Sequence, residues 1–141
     1  MGALRETGAP FFFWSLALTP FPPSESVAFL LEGDAWISQV VFNATNMLFR
    51  LANGCQIDVE LGLTYVSDVG VVFNYETEWF RTEAVHILPL IEKKILAVET
   101  ADLEMVLTFE NGARLIVRSD IGPYEAGAVL GPSDSRLGFY F

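Results

Sequence analysis

The chain is short of the residues on which most catalytic and metal chemistry depends. It carries one histidine, His86, and one cysteine, Cys55, among 141 residues. A zinc-type centre takes three or four protein ligands, and no His/Cys cluster exists to supply them. One cysteine cannot form an internal disulfide, so a reducing compartment, the cytoplasm, is expected. Basic residues are scarce as well: 8 Lys and Arg stand against 18 Asp and Glu, a formal net charge of −10. Such a field repels phosphate backbones and argues against nucleic-acid binding. Long apolar runs are missing. Phe11–Leu18 lies between Pro10 and Pro20, well short of the ~20 residues of a membrane span. The segment before it offsets Arg5 with Glu6, unlike the positive start of a secretion leader. Gly127–Pro132 contains glycine but neither the lysine nor the hydroxyl of a phosphate loop. No cofactor is expected.

Apolar residues are abundant. The composition is 52% hydrophobic and 13% aromatic, more than one small domain readily buries, which points to a homodimer. The acidic surface would suit a basic protein partner. The length suits one domain, read as an apolar arm (1–23), a first module (24–80) and a second module (81–141).

The modules are read from a repeat. Residues 24–66 and 82–124 align without a gap at an offset of 58, with nine identities. These are Glu25/Glu83, Val27/Val85, Leu30/Leu88, Ile37/Ile95, Val40/Val98, Met47/Met105, Asn53/Asn111, Gly54/Gly112 and Val59/Val117. Self-similarity at fixed spacing is the mark of a duplicated structural unit. Each module opens on a short helix with Ser24 or Thr82 as N-cap. Val27, Leu30 and Leu31 share one face of the first, and Val85, Leu88 and Ile91 one face of the second. Period-two strands follow at Trp36–Asn43 and Lys94–Thr100. Hairpins then turn at Asn53-Gly54 and Asn111-Gly112, the pair that favours a type I′ turn. Gly70–Tyr75 and Leu137–Phe141 close the modules, and Gly127–Pro132 reads as a turn or bulge connection. The expected fold is mainly β (β-dominant α+β). Two pseudo-twofold-related modules of helix plus antiparallel strands form one sandwich or flattened barrel.

The run Leu107-Thr108-Phe109-Glu110-Asn111-Gly112-Ala113-Arg114-Leu115-Ile116-Val117, followed by Gly122-Pro123-Tyr124-Glu125, resembles uncharacterised bacterial families of unknown function. Those families carry a strand, an F-x-[DN]-G-x-x-L-x-I hairpin and a Tyr-Glu pair. Leu90–Ile95 occupies the start of the motif, with Glu92 where glycine is common. Some members resemble immunity proteins of toxin systems. The resemblance spans about 45 residues of the second module; the first keeps Asn53-Gly54 and loses the Tyr-Glu pair. It implies a bacterial β domain and no chemistry.

Candidate chemistry is correspondingly thin. His86 in an apolar helix reads as structural. Cys55, answered by Ala113, reads as a packed small residue. Acids are plentiful, and a paired-carboxylate site could draw on Asp58, Glu60, Glu76, Glu78, Glu99, Asp102, Glu104, Asp120 and Glu125, but most fall on turns and polar strand faces, where solvated carboxylates are expected. A Gly122-Pro123 turn would project Tyr124 and Glu125 together as a binding tip, and Trp79 is a further binding candidate. No catalytic or metal residue is expected. The protein reads as a non-enzymatic interaction protein, with an acidic surface and an immunity-like role. The alternative is a small-molecule module whose aromatic-lined pocket, using Trp14, Trp79 and Phe80, lies between the halves.

Overall fold

The computed structural model describes residues 21–76, 84–120, 125–133 and 135–141. Residues 1–20 of the arm, Trp79, Phe80, Thr82 and the Gly122-Pro123-Tyr124 segment lie outside them. The protein is a β-dominant sandwich of two antiparallel five-stranded sheets, not closed into a barrel. In chain order the strands are β1 (Ile37–Phe42), β2 (Met47–Leu51), β3 (Gln56–Val59), β4 (Gly62–Val66), β5 (Val72–Glu76), β6 (Ile95–Thr100), β7 (Glu104–Phe109), β8 (Arg114–Arg118), β9 (Gly127–Leu130) and β10 (Gly138–Tyr140). No described helix is long and apolar enough to cross a membrane.

The two halves are interleaved. The first sheet has the order β1-β2-β3-β9-β10 and the second β5-β4-β8-β7-β6. Each half builds a three-stranded meander and gives its last two strands to the other half's sheet. The two meanders match in detail. Both carry a register shift near their start, between Ile37 and Gln39 and between Ile95 and Ala97. The backbone N–H of Ile37 donates to Lys93 at 3.1 Å and that of Ile95 to Ala35 at 2.8 Å. Trp36 pairs with Lys94, its own repeat equivalent, so the pseudo-twofold axis passes between them.

At the crossovers the repeat changes offset. Val117 faces Leu63 and Val59 faces Gly127, so Leu63 answers Gly127 at 64 residues rather than 58. Only Glu60 and Leu61 separate β3 from β4, whereas residues 119–126 separate β8 from β9. The second crossover is therefore the longer one, and it carries the Tyr-Glu pair. Gly127–Leu130, expected as a turn, is a strand because it completes the first sheet beside β3. Gly62–Val66 is the second unexpected strand, completing the other sheet beside β8.

The hairpin turns are corrected in type. Asn53 and Asn111 keep negative φ, while Gly54 and Gly112 take φ of 94° and 89°. The N–H groups of Gly54 and Gly112 bond to Leu51 and Phe109 at 3.0 and 2.9 Å. This is a type I turn followed by a glycine bulge, not type I′. Glycine is required at the left-handed position, and the asparagine side chain caps the loop. Asn53 Oδ1 accepts from Cys55 N–H at 3.0 Å, and Asn111 Oδ1 from Ala113 N–H at 3.1 Å.

The helices depart most from expectation. Ser24–Leu31 is a 3-10 helix whose cap is Pro23, with no side-chain cap bond. Ser24, Val27 and Leu30 fall three residues apart, the period that a 3-10 helix stacks into one ridge. Val27 and Leu30 are fully buried, and Ser24 Oγ accepts the Thr100 N–H at 3.0 Å instead of capping. The other half has two short 3-10 turns, Ala84–His86 and Leu88–Leu90, the latter with Pro89 near its start. Here Ile87 and Leu90 are buried, while the matched Val85 and Leu88 are exposed. The Val27/Val85 and Leu30/Leu88 identities are thus not equivalent in space.

One core fills the space between the sheets, with Phe49, Ile57 and Val129 from the first and Leu63, Leu107 and Val117 from the second. Phe21, at the described end of the arm, stacks on Phe141 at 4.7 Å and meets Phe139 edge-on at 6.3 Å. It is buried as part of the same core.

Candidate functional site

The outward faces of β3 and β8 are where the halves diverge. Strand alternation sends Ile57 and Val59, and likewise Leu115 and Val117, into the core. Outward positions are Gln56 and Asp58 on β3, continued by Glu60, against Arg114, Ile116 and Arg118 on β8. Equivalent positions thus read Gln-Asp-Glu on one sheet and Arg-Ile-Arg on the other.

The acidic side gathers at the β3–β4 crossover. Asp58 Oδ1 accepts from Asn46 Nδ2 at 2.7 Å. The backbone N–H groups of Glu60 and Leu61 both donate to the Ala126 carbonyl, at 2.7 and 3.1 Å. That clamp brings the exposed Glu125 beside Glu60. Partial burial first, then the charges of Asp58 and Glu125, raise the pKa of the Glu60 carboxyl from its ordinary value. Glu125 is the one sequence-predicted site residue that the described structure places. Tyr124 and Trp79 lie outside the described residues.

The basic side is built around Thr64. Its neighbours across the second sheet are Asn74 on β5 and Ile116 on β8. Arg118 Nη1 donates to Thr64 Oγ1, and Thr64 Oγ1 donates to Asn74 Oδ1 at 2.7 Å. Thr64 is buried although it faces outward. Gly62 makes room for the arginine: a Cβ there would stand 3.2 Å from Arg118 Nη2 and 2.9 Å from the Tyr75 carbonyl oxygen. The positions equivalent to Thr64 and Asn74 on the first sheet hold Ala128 and Tyr140, so this polar chain has no counterpart there.

Cys55 and His86 sit in opposite settings, one buried and one exposed. Cys55 is 2% exposed, its thiol 3.9 Å from the Phe29 carbonyl. Burial first, then Glu32, raises its pKa, which disfavours the thiolate a nucleophile requires. His86 is exposed and stacks on Phe73, ring centroids 4.2 Å apart. Among the described residues no three His, Cys, Asp or Glu side chains are grouped to hold a metal.

Thr64, Asn74 and Arg118 are not legible as a group in the sequence, because only the pairing of β4 with β5 and β8 brings them together. The available signal was its alternation, Leu63 and Tyr65 inward against Thr64 and Val66 outward. Comparison of the chain with protein-family models, with curated proteins and with solved structures found no match.

Proposed function

We propose that the protein is a non-enzymatic interaction protein whose acidic face, Asp58, Glu60 and Glu125, receives a basic partner. The observation that carries this reading is the crowding of these carboxylates at the crossover, with Glu60 held above its ordinary pKa by burial and by its acidic neighbours. A cationic group placed there would relieve the repulsion and stabilise the ionised form. Steering by a net charge of −10 would speed association and make it sensitive to salt. In this reading the compartment is reducing and Cys55 stays a buried thiol, with a role of the immunity type.

The same reading includes a homodimer. The β5 edge and its approach expose Val69, Val71 and Val72, an apolar strip suited to a second copy. Light scattering coupled to size exclusion should show a dimer that Val72→Lys shifts to monomer. The test of the partner is capture with the wild-type protein and with a Glu60→Lys/Glu125→Lys variant. A basic protein held by the first and lost by the second, with affinity falling as salt rises, supports the reading. Equal retention by both overturns it.

A further inference from the structure

We infer that Asn111 is a modification site of this chain, converting through a cyclic imide with Gly112 into aspartyl and isoaspartyl residues, while the matching Asn53-Gly54 turn is protected. The inference rests on neither the partner nor the dimer proposed above.

The reaction needs only the turn, a base and water. An asparagine followed by glycine is the pair most open to it, because glycine has no side chain to hinder its own backbone nitrogen. Of five asparagines, only Asn53 and Asn111 precede glycine. The Gly112 nitrogen gives its proton to a base in the solvent and attacks Cγ of Asn111. The N–Cγ bond forms, the Cγ–Nδ2 bond breaks, and Nδ2 takes up a proton and leaves as ammonia. Water then opens the imide. Cleavage of the new N–Cγ bond gives aspartate; cleavage of the original peptide bond gives isoaspartate, with the chain running through Cγ. Nothing is oxidised or reduced.

Both turns present the reacting groups in the same way. Gly54 and Gly112 each donate their N–H back across the turn, to the Leu51 and Phe109 carbonyls, so either turn must open before its nitrogen can react. The N–H groups of Cys55 and Ala113 donate to the asparagine Oδ1 at 3.0 and 3.1 Å. That bond polarises the carboxamide carbon and sits where negative charge develops during attack. By sequence and turn geometry alone, the two sites would react alike.

They differ in what holds the carboxamide and the glycine. Asn53 Nδ2 donates to the Leu30 carbonyl at 3.1 Å and to the Glu32 carbonyl at 2.7 Å. Those bonds pin the leaving nitrogen and strengthen its conjugation with the carbonyl, which makes Cγ a poorer electrophile. Asn111 Nδ2 has no acceptor among the described residues, and its side chain is fixed only through Oδ1. Gly54 also lies against Pro132: a Cβ on the glycine would stand 3.3 Å from the Pro132 Cβ, whereas a Cβ on Gly112 would meet nothing within 4 Å. The first turn is pinned and covered; the second is open. Glu110 does tie the second turn, its N–H donating to the Lys94 carbonyl and its Oε2 accepting the Lys94 N–H, both at 2.9 Å. Ala52 makes the same backbone bond to Trp36, so only the carboxylate bond is extra, and it restrains Glu110 rather than the asparagine side chain. Freeing the Asn53 carboxamide breaks two more hydrogen bonds than freeing that of Asn111, so the reactive opening is rarer.

The experiment is incubation of the full chain in warm, mildly alkaline buffer, native and in urea, followed by tryptic digestion and mass spectrometry. Peptides 51–81 and 95–114 carry one site each, and fragmentation locates the change and separates aspartate from isoaspartate. The rate in urea divided by the native rate gives the protection at each site and cancels the effect of sequence neighbours. Protection at Asn53 should exceed that at Asn111 by at least about tenfold, since each additional hydrogen bond contributes a factor of roughly five. As an independent readout, Asn111→Ser should remove most of the ammonia that the native protein releases. Equal protection at the two sites, greater protection at Asn111, native protein that keeps both asparagines while the urea sample loses them, or unchanged ammonia release in Asn111→Ser would each overturn the inference.

Discussion

β3 and β8 hold the same place in their sheets, each third in its meander and each flanked by a hairpin from the other half. Inward they are alike, Ile57 and Val59 matching Leu115 and Val117, all buried. Outward they differ in sign, acids on one and arginines on the other. Packing explains the contrast. An inward residue must fill a close-packed interior, so divergence there is penalised, whereas an outward residue is free to change charge. One strand arrangement thus occurs twice, with chemically distinct outward faces. The long second crossover belongs to the same pattern, because it adds Glu125 to the acidic face without disturbing either meander.

The largest test addresses the interleaving itself. Phe49→Ala in the first sheet and Leu107→Ala in the second should each cost about 3–5 kcal/mol. Each should leave one cooperative transition, followed by both far-ultraviolet dichroism and tryptophan fluorescence in urea. Two separate transitions would break the picture, since independent halves could not share sheets. Gly127→Ala comes next, at about 2–4 kcal/mol. Its Cβ would collide with the Asp58 carbonyl and the Phe141 ring. Gly62→Ala should cost less, because one of its neighbours is the movable end of Arg118.

The two hairpin asparagines sharpen the comparison further. Asn53 Nδ2 also donates to the Leu30 and Glu32 carbonyls at 3.1 and 2.7 Å, tying the first helix to the loop. Asn111 caps only its own turn among the described bonds. Thermal unfolding should therefore place Asn53→Ala about 2 kcal/mol below wild type and Asn111→Ala about 1.

The smallest effect concerns pH. Because the folded Glu60 pKa is raised, ionising this group costs stability as pH rises through the folded value, and no cost exists below the unfolded value. Glu60→Gln should therefore be the more stable protein at neutral pH. Its advantage should fade on acidification and vanish below the usual carboxylate range. Denaturant midpoints measured across the range check this.

The meanders were legible in the sequence because their signals are local. Asn-Gly before alternating residues announces a hairpin, and the offset of 58 places both hairpins correctly. The helices and crossovers were not legible, for physical reasons. Val85 and Leu88 match Val27 and Leu30 in identity, yet Pro89 breaks the second helix and Ile87 and Leu90 take the buried positions. A gapless alignment could not show that β4 and β9 trade sheets, because pairing across halves is a tertiary event. The Arg118–Thr64–Asn74 chain depends on that trade: it joins residues of the two halves, 54 positions apart for Arg118 and Thr64. Glu125 was visible as part of a Tyr-Glu pair. Its grouping with Asp58 and Glu60 depends on Ala126 being clamped to the first crossover.

The acidic character of the β3 face, set against its arginine-bearing equivalent on β8, is the central claim, and a single titration tests it. Isotope-labelled protein is titrated with a short lysine peptide. The account predicts shifts at Asp58, Glu60 and Glu125 that fade as salt rises, with Arg114 and Arg118 unmoved. Shifts centred on Arg114 and Arg118, or none at the three acids, would contradict it.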